Sequence, residues 1–214
     1  ISAKGFEKRI LPYIDNSKEI FYAPNWADYL NKELEKYQFS KDDKIHFTFA
    51  GNIGTVQNLD NVIEGFGKLG NEFLEKVQLN IVGDGSYLEQ LKNIVQEKKF
   101  RNIVFWGRKP REEIFKYLDA SDFLIVSLID KEIFSLTVPA KTQTYIATNK
   151  PVIAIINGEA SEIVRENNLG LVCSPSDVEQ IKATFIKAIN TTNEEKNEYI
   201  RNSEFLTNNV FKKE

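Results

Sequence analysis

The sequence contains few of the residues on which thiol, metal and nucleophilic chemistry depends. Its 214 residues include one cysteine, one histidine and no methionine. A single cysteine, Cys173, excludes a disulfide framework and is typical of a reducing compartment. The His, Cys and Asp residues form no cluster with metal-ligand spacing, and His46 is placed in no Ser-His-Asp or Cys-His arrangement. We therefore expect neither a metal site nor a nucleophilic triad.

Long apolar runs and runs of one charge are also missing. The 28 Lys and Arg residues and the 31 Asp and Glu residues give a formal net charge of -3, and 42% of the residues are hydrophobic. These values are ordinary for a soluble globular protein. The lack of a basic run argues against a nucleic-acid partner, and no stretch approaches the roughly 18 apolar residues of a membrane helix. Residues 1–6 do not resemble a signal peptide, so we expect a cytoplasmic protein.

The chain starts at Ile1 without an initiator methionine, and we interpret it as a piece of a longer protein. Its length suffices for one large α/β domain. Residues 1–40 contain two prolines and many aromatic residues, and we interpret them as the tail of a preceding unit with its connector. Residues 41–192 then form the complete domain, and residues 193–214 are polar with a helical pattern.

Short β-rich runs alternate regularly with helical patterns in the middle of the chain. Near-continuous apolar runs are typical of strands that are covered on both faces, as in a parallel sheet. Strand–helix alternation at this spacing indicates right-handed βαβ units. We therefore predict an α/β fold with a Rossmann-like doubly wound parallel sheet of about six strands. The predicted strands are Ile45–Ala50, Val77–Val82, residues 102–106, Phe123–Ser127, residues 151–156 and Gly170–Cys173.

Capping residues before apolar periodic segments predict where the helices begin. Ser86 is the predicted N-cap of a helix that buries Leu91. Pro110, which is followed by two glutamates, starts the next helix. Ser176 or Asp177 begins a later one.

Glycines follow three predicted strands in succession. Gly51 and Gly54 come after the first, Gly83 and Gly85 after the second, and Gly107 after the third. Ligands of doubly wound sheets bind beyond the carboxyl ends of the strands, where glycine lets the backbone approach them and helix N-termini offer N–H groups to phosphate. One such glycine is explained by the turn alone. Three successive sites at one edge favour a nucleotide or phosphate site.

Two well-known phosphate motifs are not matched. Gly83-Asp84-Gly85 begins like the dinucleotide motif GxGxxG, but Leu88 occupies the third glycine position and the motif does not follow the first strand. The sequence contains no Walker A loop. NAD binding is therefore only weakly supported.

The segment 134–149 has the most unusual charge placement. Pro139 predicts a helix start after the fourth strand, and the N–H groups of Lys141 and Thr142 would then point to the sheet edge. A cation at a helix N-terminus costs a few tenths of a kcal/mol unless an anion shares the site. Together with Arg108, Lys141 is interpreted as a diphosphate contact. A solvated surface lysine is the alternative.

Four other side chains have both a structural and a functional interpretation. Glu132, in a polar loop after a strand, is either a surface charge or a sugar contact. We expect His46 to be a core or sheet-surface residue and Cys173 to be a small apolar residue in a strand. Trp106 is expected to pack within the domain rather than to stack on a base.

Five longer segments follow one another along the chain: FYAPNWADYL, FAGNIGTVQNLDNVIEGF, LNIVGDGSYLEQLK, NIVFWGRKPREEIFKYLDASDFLIVSL and TVPAKTQTYIATNKPVIAIINGEASEIVRENNLGLV. In order and spacing they resemble the C-terminal domain of GT-B glycosyltransferases of the retaining family 4. The resemblance runs from about Phe21 to Asn190. The nearest branch comprises bacterial enzymes that build surface polysaccharide.

The resemblance implies one half of a GT-B fold, in which residues 41–192 bind a nucleotide-diphosphate sugar, with UDP as the expected nucleotide. Residues 1–40 would be the tail of the N-terminal Rossmann-like domain and the linker, and residues 193–214 a C-terminal helix. The missing N-terminal domain would bind the acceptor, interpreted as a lipid-linked molecule at the inner membrane face. Such enzymes generally need no metal, no other cofactor is implied, and this piece alone would be inactive.

The resemblance also implies which residues contact the donor. Catalytic roles would fall to Lys141, at the diphosphate, and to Glu132. The sequence departs from the family at Gln57, where many members are basic, and at Thr144, where a glutamate normally contacts ribose. The implied donor-binding residues are Gly51, Asn52, Gly54, Gly83, Gly107, Arg108, Val138, Pro139, Ala140, Lys141, Thr142 and Thr144.

Two alternatives of other classes remain open. A GT-B-like nucleotide-sugar epimerase usually presents several acidic and histidine groups in its cleft, and this chain has only His46. A non-enzymatic flavodoxin-like module needs acidic phosphorylation residues at the end of the first strand, where the sequence reads Ala50-Gly51-Asn52. Titration with nucleotide-diphosphate sugars tests the transferase hypothesis.

Overall fold

The computed structural model describes residues 1–15, 17–27, 37–39 and 43–211. Within these residues lies a six-stranded sheet whose neighbouring strands are all parallel. The predicted Rossmann-like α/β fold is therefore confirmed, and the strand ends differ from the prediction by at most one residue. The strands are β1 Ile45–Ala50, β2 Val77–Val82, β3 Ile103–Gly107, β4 Phe123–Ser127, β5 Val152–Ile155 and β6 Gly170–Cys173.

Helices connect the strands and cover both faces of the sheet. In the described residues they are α1 Glu7–Ile10, α2 Leu59–Gly67, α3 Asn71–Leu74, α4 Leu88–Glu97, α5 Arg111–Asp119, α6 Glu132–Ser135, α7 Ala140–Ala147, α8 Glu159–Glu166, α9 Val178–Ile189 and α10 Asn193–Leu206. A π-turn, Thr207–Phe211, continues α10, and short 3-10 turns lie at Lys4–Phe6, Leu11–Tyr13 and Thr55–Gln57. None of the described helices combines the length and the apolar composition that crossing a membrane requires.

The strand order β3-β2-β1-β4-β5-β6 changes direction between β1 and β4. β1 pairs with β2 along its whole length, whereas its ladder with β4 ends at the pair Thr48–Leu124. The two strands therefore separate toward their carboxyl ends, and we call the opening between those ends the switch-point crevice. Open α/β sheets bind their ligands at such a change of direction.

Apolar side chains fill a layer on each face of the sheet. On one face the rings of Phe47 and Phe123 stack 5.4 Å apart, and Phe47 meets Phe185 of α9 edge-on at 5.0 Å. Leu124 and Val126 of β4 belong to the opposite layer, as the two-residue alternation of a strand requires. Burial on both faces explains why the strands are continuous apolar runs in the sequence.

Of two predicted helix N-caps, one is confirmed and one is wrong. Asp177 is the N-cap of α9, and its carboxylate accepts a hydrogen bond from the Gln180 N–H at 3.0 Å. The prediction of Ser86 as the cap of α4 is wrong, because Tyr87 occupies the N-cap without a side-chain cap. The Tyr87 N–H donates instead to the Ile53 carbonyl at 3.0 Å. A bond to the neighbouring loop thus fixes this helix start.

The described part of residues 1–40 packs against the sheet unit. The Ala27 N–H, for example, donates to the Phe211 carbonyl at 3.0 Å, beyond the end of α10. The division of the chain into a tail with linker, a nucleotide-sugar-binding domain and a C-terminal helix stays a prediction. Part of the predicted tail and linker, at residues 28–36 and 40, lies outside the described residues, as do residues 41–42 at the start of the predicted domain.

Candidate functional site

A cleft of about 510 Å³ opens at the carboxyl edge of the sheet, beyond β1, β2 and β3. Four of the predicted donor-binding residues meet there, and two of them, Asn52 and Arg108, are exposed. Three successive loops form the cleft, and glycines of the first two contribute backbone to its wall. It is lined by Gly51, Asn52, Val82, Gly83, Asp84, Gly85, Arg108, Lys109 and Ile114.

Hydrogen bonds between neighbouring loops hold this wall together. The Gly51 N–H donates to the Val82 carbonyl, and the Gly83 N–H donates to the Gly107 carbonyl, both at 2.9 Å. Gly83 has a φ of +143°, and a Cβ there would overlap the Gly51 carbonyl oxygen. Close approach of two loops thus explains this glycine, and the N–H groups of Gly51 and Gly83 are engaged within the protein.

The other two glycines expected at the donor have different surroundings. Gly54 is buried, and its N–H donates to Gln57 Oε1 at 2.9 Å. Gln57, which stands where many family members have a basic residue, therefore holds the turn after β1. Gly107 ends β3 with a φ of +68°, and the space beside its Cα is open.

Helix α7 begins where the sequence predicts it, with Pro139 at the N-cap. The Thr142 N–H donates to the Pro139 carbonyl at 2.8 Å. The expectation that this N–H points to the sheet edge is therefore wrong, because it is hydrogen-bonded to the N-cap residue of its own helix. Ala140 is exposed, and its carbonyl accepts a hydrogen bond from the Thr144 hydroxyl at 3.4 Å. Val138 is buried in the core.

Tyr145 joins α7 to the end of β1. Its hydroxyl donates to the Ala50 carbonyl and accepts from the Ala50 N–H, both at 2.8 Å. The side chain is 2% exposed, and burial raises the pKa of the phenol above its usual value. The hydroxyl thus replaces a neighbouring strand as the partner of this backbone beyond the last β1–β4 pair. Sequence reasoning missed this residue, although it stands four positions after Lys141 on the same helix face.

Lys141 lies one helical turn before Tyr145 and extends to the switch-point crevice. Its amine lies 3.8 Å from the centre of the Phe49 ring and next to Gly51, where an added Cβ would be 2.9 Å away. The amine nitrogen is buried and has no hydrogen-bond partner among the described residues. A solvated surface lysine, the alternative interpretation, is therefore excluded.

The surroundings of the Lys141 amine disfavour its charged form. Burial lowers its pKa from 10.5 to about 8, because the charged amine loses hydration there. The face of the Phe49 ring offsets part of this cost through a cation–π contact. The amine is still mostly charged at neutral pH, and in the described part of the chain no hydrogen-bonded carboxylate compensates it. An anion in the crevice would stabilise this arrangement.

Glu132 lies apart from the cleft, in the short helix α6 that follows β4. Its side chain is 77% exposed, and its carboxylate forms an ion pair with the Arg9 guanidinium of α1. The described contacts thus make Glu132 a surface charge with a partner. Its role as a sugar contact stays a prediction.

The other side chains with two interpretations pack within the domain, as predicted. His46 is 6% exposed, and its Nδ1 lies 3.3 Å from Asn80 Nδ2. Trp106 donates its indole N–H to Asn80 Oδ1 at 2.9 Å and meets the ring of Tyr117 edge-on. Burial raises the pKa of the Cys173 thiol, which suits a small apolar residue and not a nucleophile.

The strand order, the switch-point crevice and the glycine-walled cleft define a Rossmann-like α/β unit. A solved structure of Alr3699/HepE from Anabaena, in complex with UDP and glucose, is similar to it with a TM-score of 0.74 and 14% sequence identity. The match covers 98% of this chain and 58% of that one. At such low identity the similarity shows the fold.

The family follows from the sequence comparison. The family of glycosyl transferases group 1 matches residues 31–204, and the chain therefore belongs to it. The chain is 27% identical over 190 residues to the probable glycosyltransferase WbjE of Pseudomonas aeruginosa, covering 83% of this chain and 46% of that protein. It is also 27% identical over 112 residues to the amylovoran biosynthesis glycosyltransferase AmsK of Erwinia amylovora. This match covers 51% of this chain and 28% of AmsK. The chain thus spans less than half the length of these two curated relatives.

The variant Tyr145→Phe tests the contact between α7 and β1. It keeps the ring but loses both hydrogen bonds, which leaves the buried N–H and carbonyl of Ala50 without this partner. We expect the free energy of unfolding to fall by about 1–3 kcal/mol, measured by urea denaturation. Tyr13→Phe, at a tyrosine that is 89% exposed, is the control. Equal stability of the two variants would contradict this role of Tyr145.

The buried amine of Lys141 also predicts how stability depends on pH. Its pKa is about 8 in the folded chain against an ordinary 10.5, so between these values the unfolded chain binds more protons. The free energy of unfolding therefore rises with pH across this window, and the full cost of the buried charge is present below it. A shift of this size corresponds to about 3 kcal/mol.

Lys141→Met removes this charge while keeping a side chain of similar shape. We expect the variant to be more stable than the unmodified chain at neutral pH, with an advantage that shrinks as the pH rises from about 8 to 10.5. Urea denaturation at several pH values measures the difference. Lys131→Met, at an exposed lysine, is the control. A stability difference that stays constant with pH would rule out a buried, partly charged amine.

Proposed function

We propose that this chain is the C-terminal, donor-binding domain of a retaining family 4 glycosyltransferase. It binds a nucleotide-diphosphate sugar, with UDP as the nucleotide, for sugar transfer in the synthesis of surface polysaccharide or glycoconjugate. The observation that carries this proposal is the buried, unpaired amine of Lys141 beside Gly51, at the edge of a glycine-walled cleft.

A diphosphate matches the chemistry of this amine. An ammonium group offers three donors and a full charge, and phosphate oxygens accept such hydrogen bonds more strongly than neutral groups do. Gly51 connects the two features, since it lines the cleft and also lies next to the amine. Arg108 lines the same cleft from the loop after β3. Two cations, one on α7 and one on the loop after β3, can therefore reach one ligand.

The nucleoside part of the donor would occupy the cleft itself. Ile114 of α5 contributes an apolar side chain to the lining, beside Arg108 and Lys109. An apolar surface flanked by a few polar groups suits a nucleotide base. The Thr144 hydroxyl already donates to the Ala140 carbonyl, and its oxygen can still accept from a ribose hydroxyl.

Two relatives support the substrate class. The solved structure of HepE holds UDP and glucose, and AmsK is named as a glycosyltransferase of amylovoran biosynthesis. Both statements concern those proteins. For this chain they support the proposal of a UDP sugar and of a role in polysaccharide synthesis.

In the proposed reaction the bond between the anomeric carbon and the diphosphate oxygen breaks, and the diphosphate departs with the electron pair. Lys141 and Arg108 stabilise the negative charge that develops on it, which is electrostatic preorganisation. The acceptor hydroxyl, held by an N-terminal domain, attacks the anomeric carbon with retention of configuration, and its proton passes to the departing diphosphate. For the acceptor we propose a lipid-linked molecule at the inner membrane face. Because the donor-binding and acceptor-binding domains must be held in register, we expect that this chain alone does not transfer sugar.

Glu132 is proposed as a sugar contact in the same reaction. Its carboxylate is exposed and paired with Arg9, so contact with a sugar hydroxyl requires that this ion pair open. An exposed ion pair is worth little, about 1 kcal/mol or less, and such an exchange is therefore inexpensive. No metal is part of the proposal, since side chains supply the cations.

Calorimetric titration of the chain with UDP, GDP and uridine tests the proposal. We expect UDP to bind more tightly than uridine, and Lys141→Ala to weaken UDP binding by about tenfold or more, since a hydrogen bond to a charged group is worth about 1.5–3 kcal/mol. Uridine binding should not change. Lys131→Ala is the matched control. A folded sample that binds neither diphosphate, or a variant that loses UDP and uridine equally, would contradict the proposal.

The pH dependence of binding is a second test of the same contact. A diphosphate beside the Lys141 amine favours the charged form, so binding above the pKa of about 8 takes up a proton. UDP affinity should therefore fall as the pH rises above this value, by at most about tenfold per pH unit. Titrations should start above about pH 7, where the terminal phosphate is already ionised. Lys141→Ala should lack this fall, and a flat profile for the unmodified chain would count against the contact.

A further inference from the structure

Five buried side-chain polar atoms have no hydrogen-bond partner among the described residues. Folded proteins leave few buried polar groups unpaired, and each such group calls for an explanation. Among the described residues, three of the unpaired atoms belong to the end of β4 and the start of α7, and two to the end of the chain. They are Ser127 Oγ, Lys141 Nζ and Thr142 Oγ1 in the first group, and Ser203 Oγ and Thr207 Oγ1 in the second.

Ser127 is the last residue of β4 and is 1% exposed. Side chains two residues apart in a strand share a face, so Ser127 lies on the face of Phe123 and Ile125. These two residues belong to the same core layer as Phe49. Since the Lys141 amine lies over the Phe49 ring, the hydroxyl and the amine are on one side of the sheet.

The strand register also places Ser127 level with the amine. The last pair of β1 with β4 is Thr48–Leu124, and three residues further along the chain stand Gly51, just after β1, and Ser127, at the end of β4. The Lys141 amine lies next to Gly51. The switch-point crevice is thus flanked by a hydroxyl on β4 and by an amine beside the end of β1.

The apolar surroundings of Ser127 explain why its hydroxyl has no hydrogen-bond partner in the described part of the chain. On its other side β4 pairs with β5, where Ser127 stands opposite Ile155. The neighbours on its face, Phe49, Ile125 and Ile155, belong to the apolar core layer and offer no side-chain acceptor. Burying a hydroxyl without a partner is unfavourable, so packing alone does not favour serine over alanine at this position.

We propose that Ser127 is a ligand-binding residue of the switch-point crevice and that its hydroxyl donates a hydrogen bond to a diphosphate oxygen held by the Lys141 amine. This inference rests on the proposed function and extends the diphosphate site across the crevice to β4. The ligand class is a nucleoside diphosphate. Amine and hydroxyl are then two donors to the same oxygen atoms, and each acquires the acceptor that the protein does not supply.

Two serine-to-alanine variants test this inference with a matched control. Ser127→Ala and Ser203→Ala each remove a buried hydroxyl that has no partner among the described residues, so neither is expected to lower thermal stability. In titrations, we expect Ser127→Ala to weaken UDP binding by about tenfold and to leave uridine binding unchanged. Ser203→Ala, in α10, should bind both as the unmodified chain does.

A double variant shows whether the two donors share a ligand group. If Ser127 and Lys141 bind the same diphosphate, the affinity losses of Ser127→Ala and Lys141→Ala should not add in the double variant. Additive losses, with UDP and uridine affected alike by Ser127→Ala, would overturn the inference.

The outcomes separate this inference from the proposed function. If the unmodified chain binds UDP, Lys141→Ala weakens that binding and Ser127→Ala does not, the inference fails while the proposed function stands. If the folded, unmodified chain binds no nucleoside diphosphate, the proposed function fails and the inference fails with it. Loss of UDP affinity in Ser203→Ala to the same extent as in Ser127→Ala would also overturn the role of Ser127.

Discussion

The two hydrogen bonds between the Tyr145 hydroxyl and the Ala50 backbone are the interaction on which the candidate site depends. Where β1 and β4 separate, the edge of β1 would otherwise bury an unpaired N–H and carbonyl. A side chain from α7 satisfies both groups and so lets the sheet open without an orphaned backbone. The same contact fixes the height of α7 over the sheet. Lys141, one turn earlier, is thereby carried to the end of β1.

The position of Lys141 shows a conflict between stability and binding. A charged amine over the Phe49 ring, with no hydrogen-bonded carboxylate in the described part of the chain, is less favourable than an apolar side chain of the same size. Such a group lowers the stability of a protein that is only marginally stable, unless a ligand compensates its charge. A ligand that brings its own negative charge turns the unfavourable group into a binding group. The lowered pKa of the amine is thus the expected sign of a site that is completed by its ligand.

Much of the fold could be predicted from the sequence, because the strands form apolar runs and the first three of these runs end at glycines. The start of α7 could also be predicted from the sequence, because Pro139 marks it. The errors at Ser86 and at the Thr142 N–H have a common cause. In both places a backbone hydrogen bond fixes the helix start, and side-chain type does not reveal it. The burial of Lys141 could not be predicted from its neighbours in the sequence. It depends on the contact between Tyr145 and Ala50, which lie 95 positions apart.

The glycines at the sheet edge let the loops after β1 and β2 pack closely against each other. Gly83 and Gly85 both approach the loop after β1 so closely that a Cβ would overlap a carbonyl oxygen there. The loops after β1 and β2 are thus bonded to each other and form a preformed wall, which lowers the ordering cost of binding a ligand. The glycines give this wall its shape, and the charged residues of the cleft lining are Asp84, Arg108 and Lys109. In the proposed function, discrimination between a nucleoside and its diphosphate would come from side chains beside this wall, and the Lys141 amine, on α7, lies next to Gly51, where the wall begins.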